Sequence, residues 1–142
     1  MVAGVILLVV GVLMTLLGLL VLLVGAAGAA FLEEVEPTLG GEAGAVAALF
    51  VGIAAIMLLI GILEIISSVG VFVHKGWARW LGVVMGTIGL VFGFLMLIAA
   101  FLTPAGSTGD LVVVLIWLSA HGFVVAALAV AGDHFRPAYP RH

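Results

Sequence analysis

The segment GVLMTLLGLLVLLVG, residues 11–25, carries no charged side chain, and it lies inside an apolar run that begins at residue 2. The first charged side chain after this run is Glu33. A helix needs about 20 consecutive apolar residues to cross the hydrocarbon core of a bilayer. The run therefore predicts a membrane-spanning helix over residues 2–32.

Three further apolar runs follow, over residues 44–73, 77–102 and 111–132. The chain is 66% hydrophobic and only 8% charged, so a water-soluble domain of this size could not cover its surface with polar groups. Because unpaired backbone groups are costly in lipid, uninterrupted runs of this length are expected to be helical. The sequence predicts a single all-α transmembrane domain with four helices in contact with the lipid bilayer, followed by a short tail over residues 133–142.

The connections between these runs are short and rich in turn residues. The first, EEVEPTLGGE at residues 33–42, contains a proline and two adjacent glycines, and the second, HKG at residues 74–76, is a minimal turn. The third, TPAGSTGD at residues 103–110, ends at Asp110, which we expect to cap the N-terminus of the fourth helix. Short connections make consecutive helices antiparallel neighbours, so the expected architecture is an up-down four-helix bundle.

The charged residues predict the orientation of the chain in the membrane. If the chain crosses the bilayer four times, all four basic residues fall on one side: Lys75, Arg79, Arg136 and Arg141. The opposite side receives five acidic residues: Glu33, Glu34, Glu36, Glu42 and Asp110. Cytoplasmic loops carry an excess of Lys and Arg, so we expect a plasma-membrane protein with both termini in the cytoplasm. Four residues near the second connection are expected to anchor this interface: Lys75, Trp77, Arg79 and Trp80.

Glycines recur at helical spacing in the first and third predicted helices. In the first they lie seven residues apart, and in the third they include two pairs spaced by four: Gly4, Gly11, Gly18, Gly25, Gly82, Gly86, Gly89 and Gly93. Seven residues make nearly two helical turns, so the first set forms a stripe along one side of its helix. Small residues favour close packing between membrane helices. The stripes predict tight contacts within the chain, and the alternative is a free glycine face that docks on another subunit.

Each predicted helix places one polar residue at a similar depth: Thr15, Glu64, Thr87 and His121. Glu64 and His121 both lie roughly 15 Å from the cytoplasmic end of their helix, at about 1.5 Å per residue. A charge at the bilayer centre costs at least about 2.5–3.5 kcal/mol, so such groups usually face the protein interior and have partners. We expect Glu64 and His121 to meet directly or through Thr87 or water, in either a structural hydrogen-bonded layer or a proton or cation site.

Other classes of function find no support in the sequence. The chain has no cysteine, and its formal net charge of −3 does not indicate a nucleic-acid partner. Ser67 and Ser68 have no triad partners beside them and are expected to bond back to their own helix. One histidine and one carboxylate at depth are an incomplete ligand set, so no metal or cofactor is expected. No nucleophile or phosphate-binding motif is present, and the sequence does not predict an enzyme.

The segment KGWARWLG, residues 75–82, resembles small four-helix bacterial membrane proteins that have no assigned function. This resemblance implies the four-span plan and a membrane location, and it carries no functional residues. With almost no mass outside the membrane, the chain is expected to be an accessory or scaffold subunit that packs against other membrane helices. The alternative is a small homo-oligomeric proton-coupled transporter or channel centred on Glu64.

Overall fold

Four long helices make up most of the computed structural model, which describes residues 1–35, 40–102 and 108–135. The helices are α1 (Val2–Val35), α2 (Gly40–Phe72), α3 (Gly76–Leu102) and α4 (Thr108–Val130), and α4 continues into a short 3-10 helix, Ala131–Phe135. All four prolines of the sequence, at positions 37, 104, 137 and 140, lie outside the described residues, so none interrupts these helices. The predicted all-helical fold with four long helices is confirmed.

Each helix contains a segment that is long and apolar enough to cross a membrane. These segments are 22–30 residues long: Val2–Phe31, Gly44–Phe72, Gly76–Leu102 and Gly109–Val130. Large apolar side chains are exposed on every helix, among them Leu16, Leu59, Phe94 and Ile116. Such a surface is suited to lipid rather than water, so the fold is compatible with a multi-pass membrane protein.

The helices extend beyond the apolar runs, which shortens the first connection. α1 includes Glu33 and Glu34, and α2 begins before Glu42. The prediction that these acidic residues belong to a loop is therefore wrong, and Glu36 lies outside the described residues. Charged side chains end the apolar run without ending the helix, because glutamate is itself a good helix former.

α4 also begins earlier than predicted, at Thr108 rather than at residue 111. Asp110 therefore lies in the first turn of α4, and the prediction that it caps the helix is wrong. A carboxylate in the first turn still interacts favourably with the positive end of the helix dipole. At the other end, the tail predicted from residue 133 begins inside the 3-10 helix, and its last residues, 136–142, lie outside the described residues.

The turn between α2 and α3 ends α2 in a Schellman motif. His74 N–H donates to Val71 O at 3.1 Å, and Lys75 N–H donates to Gly70 O at 2.9 Å. His74 has a φ of 54°, in the left-handed region that glycine usually occupies in this motif. The chain thereby reverses within three residues, and Gly70 lies directly against Ala78 at the start of α3.

By its internal packing the chain divides into two compact units. Unit 1 comprises Met1–Leu8 and the chain from Glu64 onward, and unit 2 comprises Val9–Leu63. The core of unit 1 brings together the two ends of the described chain and the α2–α3 turn region. It consists of six buried apolar residues: Ala3, Leu7, Val71, Ala78, Val124 and Leu128.

In unit 2, α1 and α2 pack through glycines at a point of close approach. A Cβ atom added to Gly61 would lie 2.7 Å from Gly11 O and 2.8 Å from Thr15 N, which are both backbone atoms of α1. Only a residue without a side chain lets the two backbones come this close. The other stripe glycines of this unit face α2 side chains, Gly18 against Leu58 and Gly25 against Phe50.

Candidate functional site

A carboxyl group and a histidine meet in the interior of unit 1. Glu64 on α2 is 1% exposed, and His121 on α4 is 2% exposed. Glu64 Oε1 and His121 Nε2 are 3.6 Å apart, which is an ion-pair contact and longer than a hydrogen bond. The contact that the sequence predicts between these two residues is therefore present.

The His121 ring is held by the residue one helical turn before it. His121 Nδ1 lies 2.9 Å from Trp117 O, and the two rings lie 4.3 Å apart between centroids with 32° between their planes. Trp117 Nε1–H donates to Gly89 O on α3 at 2.9 Å. Trp117 thus fixes the orientation of the imidazole and joins α4 to α3 at the same level.

The glycine stripe of α3 provides the space that the imidazole occupies. A Cβ atom added to Gly89 would overlap the His121 ring, because the ring lies directly against the α3 backbone. The other stripe glycines of unit 1 face side chains of neighbouring helices: Gly4 faces Phe72, Gly82 faces Leu128, Gly86 faces Val125 and Gly93 faces Leu118. All eight glycines of the two stripes are buried, so neither stripe presents a free glycine face.

The second carboxyl oxygen of Glu64 has no hydrogen-bond partner among the described residues. Glu64 Oε2 is buried, and no hydrogen-bond donor of the described residues reaches it. Leaving a buried polar atom unsatisfied costs about 1–3 kcal/mol, and more when the group is charged. The Glu64 carboxyl group therefore has unused capacity to bind a proton or a cation.

Two serines that follow Glu64 join α2 to other helices. Ser67 Oγ donates to Ala78 O on α3 at 3.0 Å, and Ser68 Oγ donates to Gly4 O on α1 at 2.7 Å. Both serines are fully buried. The prediction that they bond back to their own helix is wrong, because small residues opposite them bring neighbouring backbones within reach of a short side chain.

The two threonines of the predicted polar layer do not join the buried pair. Thr87 is exposed, and its hydroxyl donates to Val83 O within α3 at 2.8 Å. Thr15 lies in unit 2, and its hydroxyl donates to Gly11 O within α1 at 2.8 Å. Threonine commonly satisfies its hydroxyl in this way inside a helix. The bridge through Thr87, one of the three expected forms of contact, is not present.

The residues predicted to anchor the membrane interface differ in their surroundings. Trp77 and Trp80 are 54% and 63% exposed, and Lys75 is exposed as well. Arg79 reaches the end of α4 and donates to two of its carbonyl oxygens, at 2.6 and 2.8 Å. A cation suits this position, because the last carbonyl groups of a helix lack intrahelical partners and carry the negative end of the dipole. The role of these four residues at an interface stays a prediction.

The sequence analysis did not single out two residues that make close contacts, Trp117 at the buried pair and Gly61 in unit 2. Trp117 precedes His121 by four residues, and this spacing of neighbours on one helix face could have indicated their stacking. Gly61 has no such signal, because nothing in its local pattern separates it from Gly52, beside which no atom lies within 4 Å of an added Cβ.

Compared with models of protein families, with curated proteins and with solved structures, the chain matches none of them. The class is therefore defined by the fold alone: an all-helical protein whose four helices are compatible with a multi-pass membrane location. Its most distinctive chemical feature is the contact between Glu64 and His121.

Proposed function

We propose that this chain is a non-enzymatic integral membrane protein that acts as an accessory or scaffold subunit and packs against the helices of other membrane proteins. In this proposal the helices form an up-down bundle in the plasma membrane, and both termini are cytoplasmic. The length and apolar character of the four helices support a membrane location. The subunit role is supported by a face of α2 that the described residues leave uncovered.

The observation that carries the subunit role is a row of small, exposed residues on α2: Ala45, Ala48, Gly52 and Ala55. Their spacing by three and four residues places them on one side of the helix. A Cβ atom added to Gly52 would meet no atom within 4 Å, whereas the glycines of both stripes are already buried inside the chain. Small residues allow membrane helices to pack closely, so this face suits a helix of a partner protein.

The native mass of the protein extracted in mild detergent tests the subunit role. We expect a defined complex with a different membrane protein, and we expect Gly52→Leu to lose that partner because leucine separates the two backbones. Gly28→Leu is the matched control, since Gly28 on α1 also has no atom within 4 Å of an added Cβ. A monomer, or a complex that Gly52→Leu leaves intact, would refute the proposal.

The proposed orientation rests on the distribution of basic residues. Lys75 and Arg79 lie at the turn between α2 and α3, and Arg136 and Arg141 follow α4, outside the described residues. Because basic residues concentrate on the cytoplasmic side of a membrane, reporter fusions at either terminus should report the cytoplasm. An externally accessible C-terminus would reverse the proposed topology.

A second candidate function is a small homo-oligomeric proton-coupled transporter or channel centred on Glu64. It is favoured by the buried, unpartnered Glu64 Oε2, because ionisable groups inside membranes often mark proton or ion pathways. A closed homo-oligomer in the native mass measurement would favour this candidate over the first. In proteoliposomes Glu64→Gln should then abolish proton-coupled flux while the oligomer stays intact, and flux that persists would reject it.

A further inference from the structure

The atoms around His121 determine which of its ring nitrogens carries a proton. Nδ1 lies 2.9 Å from Trp117 O, and a carbonyl oxygen can only accept a hydrogen bond. Nδ1 must therefore be protonated and donate to Trp117 O. A neutral imidazole carries one proton, so Nε2 of a neutral His121 is an acceptor without a hydrogen.

This acceptor faces the carboxyl group of Glu64. His121 Nε2 and Glu64 Oε1 are 3.6 Å apart, and both side chains are 2% exposed. An ionised Glu64 beside a neutral His121 would place two acceptors against each other where water cannot separate them, which is unfavourable. We propose that the Glu64–His121 pair is a proton-binding site that holds one proton between Oε1 and Nε2.

The bound proton has two arrangements of equal total charge. Either Glu64 is a carboxylic acid that faces a neutral His121 ring, or Glu64 is a carboxylate that faces an imidazolium ring. The pair is neutral in both arrangements, whereas loss of the proton leaves a buried negative charge without a counter-charge. The Trp117 ring, 4.3 Å from the His121 ring, adds a cation–π contact that stabilises the imidazolium form.

The other charged groups that the structure describes in unit 1 lie away from this pair. On or beside α2, α3 and α4, the nearest titratable side chains that the structure describes are His74, Arg79 and Asp110. The level of the pair is marked by Glu64 on α2, by Gly89 on α3 and by His121 on α4. Each of the three titratable residues is ten or eleven positions away from that level in the sequence, which is about 15 Å at 1.5 Å per residue. The N-terminal segment of unit 1, Met1–Leu8, bears no ionisable side chain, so its only ionisable group is the Met1 amino group.

A proton fits this pair better than a metal ion does. A metal site in a protein interior uses three or four protein ligands, and the described residues bring no third His, Cys, Asp or Glu to the pair. Proton binding needs only the two facing atoms. This site goes beyond the proposed accessory role, because subunit packing requires no proton, and it can be measured without any assay of transport.

Nitrogen NMR and infrared spectroscopy on the full chain in lipid nanodiscs at neutral pH test the proposal. With isotope-labelled histidine, His121 should show a protonated Nδ1 together with one of two results. Either Nε2 is protonated as well, or Nε2 is unprotonated and the infrared spectrum contains the carbonyl band of a protonated Glu64. A ring protonated on Nε2 alone, or an unprotonated Nε2 beside an ionised Glu64, would overturn the proposal.

Three variants separate the signal of this site from other groups. Glu64→Gln carries an amide N–H that donates to Nε2 without a bound proton, so it should remove the Nε2 proton or the carboxyl band completely. Glu34→Gln changes an exposed carboxylate on α1 and should leave both signals unchanged. His121→Gln should delete the signals given to His121, which distinguishes them from the signals of the other three histidines. Signals that survive Glu64→Gln unchanged would show that the proton is not bound between these residues.

Discussion

One glycine of each unit meets a different kind of neighbour. In unit 2, Gly61 on α2 meets backbone atoms of α1 at Gly11 and Thr15. In unit 1, Gly89 on α3 meets a side chain, the His121 ring. The buried polar residues of the described chain all belong to unit 1: Glu64, Ser67, Ser68 and His121. Gly61 therefore brings two backbones together, whereas Gly89 accommodates a buried polar side chain.

In the proposed membrane setting, both contacts follow from the forces that hold helices together in lipid. Helices in lipid gain little from burying apolar surface, so contact depends on close van der Waals packing and on hydrogen bonds between helices. Gly61 serves the first purpose, since it shortens the distance between two backbones. Gly89 serves both, because it admits the imidazole and also exposes its own carbonyl oxygen to Trp117 Nε1–H.

Gly61→Ala should produce the larger loss of stability of the two glycine substitutions. The added Cβ meets backbone atoms of α1, which cannot move aside without shifting the helix, so we expect a loss of about 3 kcal/mol in the free energy of unfolding. The higher helix propensity of alanine offsets this destabilisation by at most about 1 kcal/mol. Unfolding in detergent measures the change, and Gly52→Ala on the same helix is the control with open space. Equal stability of the two variants would show that α1 and α2 do not approach each other closely at Gly61.

Gly89→Ala should cost about 2 kcal/mol, because the added Cβ displaces the His121 ring from Glu64. The neighbour here is a side chain, so removing it should relieve the overlap. In a His121→Ala background, the same substitution should cost less than about 0.5 kcal/mol. A loss of equal size in both backgrounds would mean that Gly89 does not serve to accommodate the imidazole.

Ser68→Ala should cost about 1 kcal/mol, because it removes the buried hydrogen bond from Ser68 Oγ to Gly4 O. Ser119→Ala is the matched control, since the exposed Ser119 hydroxyl donates to Leu115 O within its own helix. Thermal unfolding of both variants in the same detergent should show a lower midpoint for Ser68→Ala alone. Equal midpoints would argue that the interhelical bond contributes nothing measurable.

His74→Gly should give the smallest effect, and of opposite sign. His74 holds a left-handed conformation that costs a residue with a Cβ atom about 1–2 kcal/mol, and glycine avoids this cost. Part of the gain is lost because glycine is more flexible in the unfolded chain, so we expect a net stabilisation of up to about 1 kcal/mol. Thermal unfolding measures it, and a lower midpoint would show that the His74 side chain contributes more than its backbone costs.

The sequence predicts the number and approximate position of the helices, because a long apolar run in lipid has only one low-cost backbone structure. It also predicts the contact of Glu64 with His121, since residue counting gives the depth of each side chain along its helix. Counting does not give the direction in which a side chain points around the helix axis. Thr87 therefore points outward although it lies at a similar depth, and the partners of Ser67 and Ser68 depend on which backbones come close in the folded chain.

A double-mutant cycle at Glu64 and His121 measures how strongly the two residues stabilise each other. The free energy of unfolding in detergent is determined for the wild type, Glu64→Leu, His121→Leu and the double variant. Each single substitution should cost about 3 kcal/mol or more, because it leaves the other polar group buried without its partner. The double variant should then lose at least about 2 kcal/mol less than the sum of the single losses. Strictly additive losses would contradict the coupling of this pair and with it the interpretation of unit 1.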